Sequence, residues 1–389
     1  MREIEYRPRN IRETLVELKD SSELAVDLAY SAVLFDNREL AEEAVELSSQ
    51  VDYLQYHARI ALMLAAKNSS DAEALVGIFQ VVDGAATIAE AAADIANIQL
   101  RDFAIPAAFR TLPAHERFVR VEVAESSPLA GQTLADADVS GRIGVIAVRR
   151  NAEWEFAPEN GDQIAAGDLL FARGPVEAVD EFHELVTGKP YDPPADGAES
   201  TDLEHAIETV VELKNVSEFA VGLAYSAALF DSDAMAEEVR RLEARSDELR
   251  EELETWVVSD ADRPDADSRE LRGLFHLAVA TEVISDAALD IAEVVFRDVE
   301  LHPVFGQAIR ESKEVITSVD VTAKGDLAGR TVGEFEREAG DGMTVLARRR
   351  DNGWTYDPDE GTEIRAGDSL VLRGPCRGEK RVRRLARGR

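Results

Sequence analysis

This chain is written twice. Leu28-Ala29-Tyr30-Ser31-Ala32 returns 195 positions later as Leu223-Ala224-Tyr225-Ser226-Ala227. A second, unlike block repeats at a spacing of 200: Trp154, Pro158, Gly161, Ala166-Gly167-Asp168 and Arg173-Gly174-Pro175 recur as Trp354, Pro358, Gly361, Ala366-Gly367-Asp368 and Arg373-Gly374-Pro375. Two different modules therefore alternate as A-B-A-B. Each module can pair with its own duplicate, so one chain is able to build the pseudo-two-fold interface that a homodimer builds between chains. The pairing expected here joins the two B modules, Gly131 to Val186 against Gly329 to Leu385.

Module A reads as long helices, because Leu15, Leu18, Leu24, Leu28, Leu40, Ala44, Leu47, Val51 and Leu54 fall at helical spacing with acidic residues between them. Three helices are expected per copy: Asn10 to Phe35, Asn37 to Ala66 and Asp71 to Phe103, then Thr201 to Phe230, Asp233 to Val258 and Ser268 to Phe296. Asp36-Asn37 and Asp231-Ser232-Asp233 supply stop and N-cap chemistry. Short connections imply antiparallel neighbours in an up-down bundle.

Module B changes period. Phe118 to Val123 alternates as a half-buried strand, Gly144 to Val148 is a short buried one, and Trp154 to Phe156 and Leu169 to Ala172 follow. A short helix near Thr133 to Ala137 and a longer one from Val176 to Val186 complete a small α+β domain. The Pro/Gly-rich stretch after Gly188 predicts two separately folded halves joined by a semi-rigid spacer. The expected fold class is multidomain, α and α+β. Its divisions are 1–112 (helical), 113–188 (α+β), 189–200 (linker), 201–312 (helical) and 313–389 (α+β).

The net charge is −34, from 43 Lys+Arg against 77 Asp+Glu, which argues against nucleic acid as a partner and against anionic lipid over most of the surface. Self-repulsion on that scale needs screening. At about 1 M salt the Debye length is roughly 3 Å, so the composition suits the salt-rich cytoplasm of a halophile. The single Cys376 leaves no disulfide framework and no Cys-based zinc site, which fits a reducing interior. Met1-Arg2-Glu3-Ile4-Glu5 has no apolar signal core, and no run approaches the roughly 18–20 apolar residues of a membrane span.

In Ser127-Pro128-Leu129-Ala130-Gly131-Gln132-Thr133-Leu134, Gly144 to Arg150, Pro158 and Ile164 to Leu170, module B resembles the TrkA-C domain, the C-terminal lobe of cytosolic regulators of potassium channels and transporters. Leu327-Ala328-Gly329-Arg330-Thr331-Val332 and Ile364 to Leu370 repeat the pattern in order. Module A resembles PhoU, the helical regulator of phosphate uptake. Glu282 to Glu293 is similar to that family's acidic metal-motif helix, with Asp290 where Asn is usual, and Glu243-Ala244-Arg245-Ser246-Asp247 is similar to its partner motif. The first copy departs, with Ser48 for Glu243 and Ala86 for Glu282, leaving Asp52, Glu90 and Asp94. Two PhoU-like bundles alternating with two TrkA-C-like domains are thus expected.

The i, i+4 spacing of Glu282, Asp286 and Asp290 sets three carboxylates on one helix face, where Glu243 and Asp247 of a second helix would complete an all-oxygen set for a divalent metal. The same spacing also describes an ordinary solvated face in so acidic a chain, and the residues alone leave both open. The basic turn Arg149-Arg150-Asn151 and its copy Arg348-Arg349-Arg350 stand out. Paired TrkA-C domains bind cyclic dinucleotides in their shared cleft, so the resemblance implies these residues as the phosphate-binding groups. The alternative is a charged hairpin end paired with nearby carboxylates. The Arg-rich end from Arg377 to Arg389 reads as a fraying tail, with anionic lipid or an acidic partner as the other reading.

The sequence contains no G-x-x-x-x-G-K-[ST], H-E-x-x-H, G-x-S-x-G or G-x-G-x-x-G after a strand, so a regulator rather than an enzyme is expected. NAD control is not expected, because a helical bundle stands where potassium regulators carry a Rossmann lobe. The six histidines are scattered and fit surface or packing roles. The resemblances imply a cytosolic regulatory subunit of a potassium or cation transport system, sensing a ligand through paired TrkA-C domains. Its partner would be a membrane transporter or channel subunit that holds it at the inner face of the membrane, and a homodimer is the assembly considered. The alternative is a PhoU-like metal-binding regulator of phosphate transport or signalling.

Overall fold

The first half of the chain folds as α1 (Ile11–Leu34), α2 (Arg38–Ala65), α3 (Ser69–Leu100), β1 (Arg117–Glu122), β2 (Gly144–Arg150), β3 (Glu153–Phe156), β4 (Leu169–Gly174) and α4 (Val176–Thr187). The second half repeats it as α5 (Thr201–Phe230), α6 (Asp233–Asp260), α7 (Ser268–Phe296), β5 (Glu314–Asp320), α8 (Val332–Glu338), β6 (Thr344–Arg350), β7 (Gly353–Tyr356), β8 (Ser369–Pro375) and α9 (Cys376–Arg387). This computed structural model describes residues 10–34, 36–101, 103, 105, 117–133, 143–150, 153–156, 162–174, 176–189, 201–230, 232–260, 268–296, 314–338, 343–350, 353–356, 358 and 360–388. Residues 134–137 of the short helix expected near Thr133 to Ala137, the turn at Asn151-Ala152 and all but the first residue of the expected linker lie outside the described residues.

Local chemistry sets the helix ends. Asp36 takes a left-handed φ of 52°, which halts α1. Asn37 then caps α2, its side chain accepting from the amides of Glu39 at 3.0 Å and Leu40 at 3.1 Å. In the second copy the Ser232 hydroxyl accepts from the Met235 amide at 3.4 Å. Leu40, Ala44, Leu47, Val51, Leu54 and Ala58 form the buried stripe of α2.

The two helical modules are fused rather than separate. One continuous apolar core runs through α1, α2, α3, α5, α6 and α7. Its seam is α3 against α7. A Cβ on Gly84 of α3 would stand 2.5 Å from Ile291 Cγ1 and 3.2 Å from the Ala287 carbonyl oxygen, so the missing side chain lets the helices close in. Phe103, just beyond α3, lies 4.8 Å from the His276 ring near the start of α7, so the two helices run antiparallel. The repeated tyrosines close the same interface reciprocally. Tyr30 OH lies 2.9 Å from Ser217 Oγ and 2.8 Å from Thr281 Oγ1, and Tyr225 OH lies 2.8 Å from Ser22 Oγ. Ser22 and Ser217 are themselves 195 apart, as the tyrosines are. Burial raises both phenols' pKa, so both stay protonated and hydrogen-bonding.

This corrects two expectations. The halves share one core instead of folding apart, and the duplicates that pair are the A modules. Among the described residues no element of one sheet domain packs extensively against an element of the other. Among the described residues one stretch, Leu75–Leu100 in α3, is long and apolar enough to cross a membrane by composition, contrary to the expectation that no such run exists. Most of it is buried in the seam, where a helix apolar on nearly every side belongs.

Each sheet domain is a four-stranded antiparallel sheet, in the orders β1-β4-β2-β3 and β5-β8-β6-β7. One face carries the lobe's own helix: Val119, Val121, Val148, Leu170 and Ala172 pack with Phe182 and Val186 of α4. The opposite face joins the helical core through Ala147, Leu169, Phe171 and Trp154, and through Ala347, Leu346 and Val371 in the second copy. A register shift between Val145 and Ala147, repeated between Val345 and Ala347, sets which residues of these strands face the helices. The chain's Arg-rich end does not fray. It forms α9, anchored through Val382 and Ala386, both fully buried, and through the Thr322 amide donating to the Ala386 carbonyl at 2.9 Å.

Candidate functional site

Adjacent strand residues point to opposite faces, and the paired arginines of the hairpins use both. Arg149 of β2 turns toward the helices, where its guanidinium contacts Glu43 and reaches Glu46 at 3.0 Å, beside the Trp154 ring. Arg120 of β1 adds contacts to Glu39 at 2.6 Å and Glu43 at 3.4 Å. In the second copy Arg349 of β6 lies 3.3 Å from Glu238 and donates to Ser369 Oγ at 3.2 Å. Glu43 and Glu238 occupy the same repeat position, and both are almost fully buried. Burial raises the pKa of each carboxyl, against the opposing pull of the arginines. Ser318 stands where the first copy has Arg120, so the second clamp has one sheet-borne arginine fewer, and Asp320 adds a carboxylate nearby. These clamps tie each sheet lobe to its own helical module.

Arg150 and Arg350 serve the other face. Arg150 grips the buried Asp168 with two hydrogen bonds, from Nε at 2.8 Å and Nη2 at 2.6 Å, while the Ala165 amide donates to the same carboxylate at 2.7 Å. Arg350, Asp368 and the Arg365 amide repeat this at 2.7, 2.8 and 2.7 Å. Burial alone would raise the aspartates' pKa, but the guanidinium and amide hydrogen bonds prevail and hold both below the usual range. The turn itself needs Gly167 and Gly367, whose φ values are 85° and 94°. Arg348 donates to Thr355 Oγ1 at 2.9 Å and to the Glu363 carbonyl. Every described member of the expected phosphate-binding set is therefore hydrogen-bonded within the chain; Asn151 lies outside the described residues.

The five acidic candidates do sit together. Ser285 of α7 donates to Ser246 of α6 at 3.0 Å, and that buried contact brings Glu243 and Asp247 alongside Glu282 and Asp286. Burial raises the pKa of Glu243, Glu282 and Asp286, and repulsion adds to it: Asp247 and Asp286 act on Glu243, Asp286 and Asp247 on Glu282, Asp247 and Asp290 on Asp286. Arg250 enters the cluster, its Nε 3.1 Å from Glu282. Among the described residues no three His, Cys, Asp or Glu side chains are placed to hold a metal ion. In the first copy Ser48 is buried and burial raises the Asp52 pKa.

Sequence reasoning missed the partners Glu43, Glu238, Asp168 and Asp368. Their signal was repetition: both pairs recur at the module spacing. Among the histidines, His57 is buried against the Tyr53 and Tyr56 rings, and His183 lies 3.1 Å from the Lys189 carbonyl oxygen.

The TrkA-C domain model matches residues 118–187 and 316–387, and the PhoU domain model matches residues 15–99 and 210–295. No curated protein matches the sequence. Similar solved structures include the crystal structure of PhoU from Pseudomonas aeruginosa, at 14% identity over 74% of this chain and 93% of that one, with a TM-score of 0.42. The GsuK RCK domain matches at 12% identity over 71% of this chain and 64% of that one, and the GsuK channel bound to NAD at 11% over 71% and 53%, each with a TM-score of 0.19.

Proposed function

Because this chain alternates two PhoU domains with two TrkA-C domains, both of them regulatory rather than catalytic families, we propose that it is the regulatory subunit of a potassium or other cation transport system. One observation carries the mechanism: each TrkA-C lobe is tied to the helical core by an arginine on a buried glutamate at the same repeat position, Arg149 on Glu43 and Arg349 on Glu238. A lobe displaced by a transporter or ligand must break or drag a buried charge pair, and separating such a pair strands an uncompensated charge. Lobe position and core are thereby coupled. The core, continuous through both halves, passes a change at one lobe toward the other.

Quantitative affinity purification of the full chain from its native cells, in high salt, tests this. A membrane potassium or cation transport subunit should co-purify with it. Recovery of a phosphate transporter or phosphate-signalling kinase, with no cation transport subunit, would replace this reading by the phosphate one.

A further inference from the structure

Helices α4 and α9 are the same element in the two TrkA-C lobes, each anchored by its buried face: Phe182 and Val186 in one, Val382 and Ala386 in the other. Their outer faces carry opposite charge. Asp180, Glu181 and Glu184 stand at the positions that Lys380, Arg381 and Arg384 occupy 200 residues later. Glu181, Glu184, Lys380, Arg381 and Arg384 are all exposed. In a chain of net charge −34, this basic face is the exception.

We propose that two copies of this chain associate through α9 of one and α4 of the other. Like faces repel, so α9 against α9 and α4 against α4 are both disfavoured. The pseudo-two-fold relation shown by the reciprocal tyrosine contacts makes α4 and α9 equivalent elements of the two halves. In a two-fold pairing of copies, α9 of one on α4 of the other carries with it α4 of the first on α9 of the second, so the contact is made twice and the assembly closes as a dimer. The apolar face of α9 is occupied by its own sheet, so it has no stripe left for burial in a bilayer. An acidic helix of matching length is the occupant its charge fits, and the chain itself carries one.

The test uses the full chain and measures mass by sedimentation velocity at one fixed KCl concentration. Wild type should be dimeric. Arg381→Glu with Arg384→Glu should raise the dimer dissociation constant at least about tenfold, as should Glu181→Arg with Glu184→Arg, because exposed opposite-charge pairs at two contacts become like-charge pairs. All four substitutions together should restore the dimer. That rescue separates pairing from loss of fold, and helical ellipticity checks each variant. A monomeric wild type, a one-sided reversal that leaves the dimer intact, or failure of the combined swap would overturn the proposal. Binding to phosphatidylglycerol vesicles that is lost with Arg381→Glu, Arg384→Glu while the mass stays unchanged would assign α9 to lipid instead.

Discussion

Replacing Asp168 by Asn should loosen the first TrkA-C lobe and leave the helical core intact, because one buried carboxylate there receives two hydrogen bonds from Arg150 and one from the Ala165 amide. Asn still offers an oxygen to the amide, so the loss isolates the ion pair. A hydrogen bond to a charged group contributes about 1.5–3 kcal/mol, whereas a solvated pair contributes only about 0–1 kcal/mol. Both aspartates are buried, but the arginine side chain is 47% exposed in the first lobe and 28% in the second. Solvent should therefore reduce the Arg150–Asp168 coupling to about 1 kcal/mol and leave Arg350–Asp368 nearer about 2 kcal/mol.

The assay is a double-mutant cycle in each lobe, Asp→Asn with Arg→Met, followed by urea unfolding. Trp154 reports the first lobe and Trp354 the second, with the other tryptophans replaced by Phe. The pH dependence has a definite sign. A carboxyl whose folded-state pKa is depressed contributes stability above its unfolded value, about 3.9 for Asp, and that stability is lost as pH falls through the depressed value. The coupling should thus persist at about pH 5 and disappear only in stronger acid. Zero coupling in both lobes, or stronger coupling in the first than in the second, would refute the reasoning.

Tyr30→Phe removes two contacts across the bundle seam and Tyr225→Phe one, while Ser217, Thr281 and Ser22 keep their backbone partners. With Ser217 and Thr281 donating to the backbone, the single Tyr30 proton serves one of its two neighbours at a time; at about 1 kcal/mol per hydrogen bond, each Tyr→Phe change should cost about 1 kcal/mol in urea unfolding followed by helical ellipticity, and no cost from either would remove the tyrosines from the account of the seam. Gly84→Ala gains about 1 kcal/mol of helix propensity but must displace Ile291. Ile291→Ala alone should cost about 2–5 kcal/mol; adding Gly84→Ala should recover part of that, and strict additivity would mean the helices do not approach so closely.

Most helix and strand boundaries were legible in the sequence because their causes are local. Asn37 and Ser232 cap the helices that follow them, and alternation in Phe118 to Val123 marks β1. That Glu282, Asp286 and Asp290 share one helix face followed from their i, i+4 spacing, whereas the pairing of that face with Glu243 and Asp247 came from the resemblance to PhoU. Whether those carboxylates converge followed from neither, because that depends on ångström-scale side-chain placement and on Arg250 entering among them. The Arg149 and Arg150 positions were conspicuous, yet their partners were not. Glu43 lies 106 positions from Arg149, and among 77 acidic residues composition cannot choose one.

The basic C-terminal segment looked like a tail because its anchors, Val382 and Ala386, are only two residues in a charged run, and only the sheet they pack on gives them meaning. The duplication itself was plain in the sequence, but not which duplicates meet. Both modules recur, so the pattern permits either pairing. Tertiary structure decided it, because each sheet spends one face on its own helix and the other on the bundle, while α3 and α7, closely approached at Gly84, have apolar surface left only for each other.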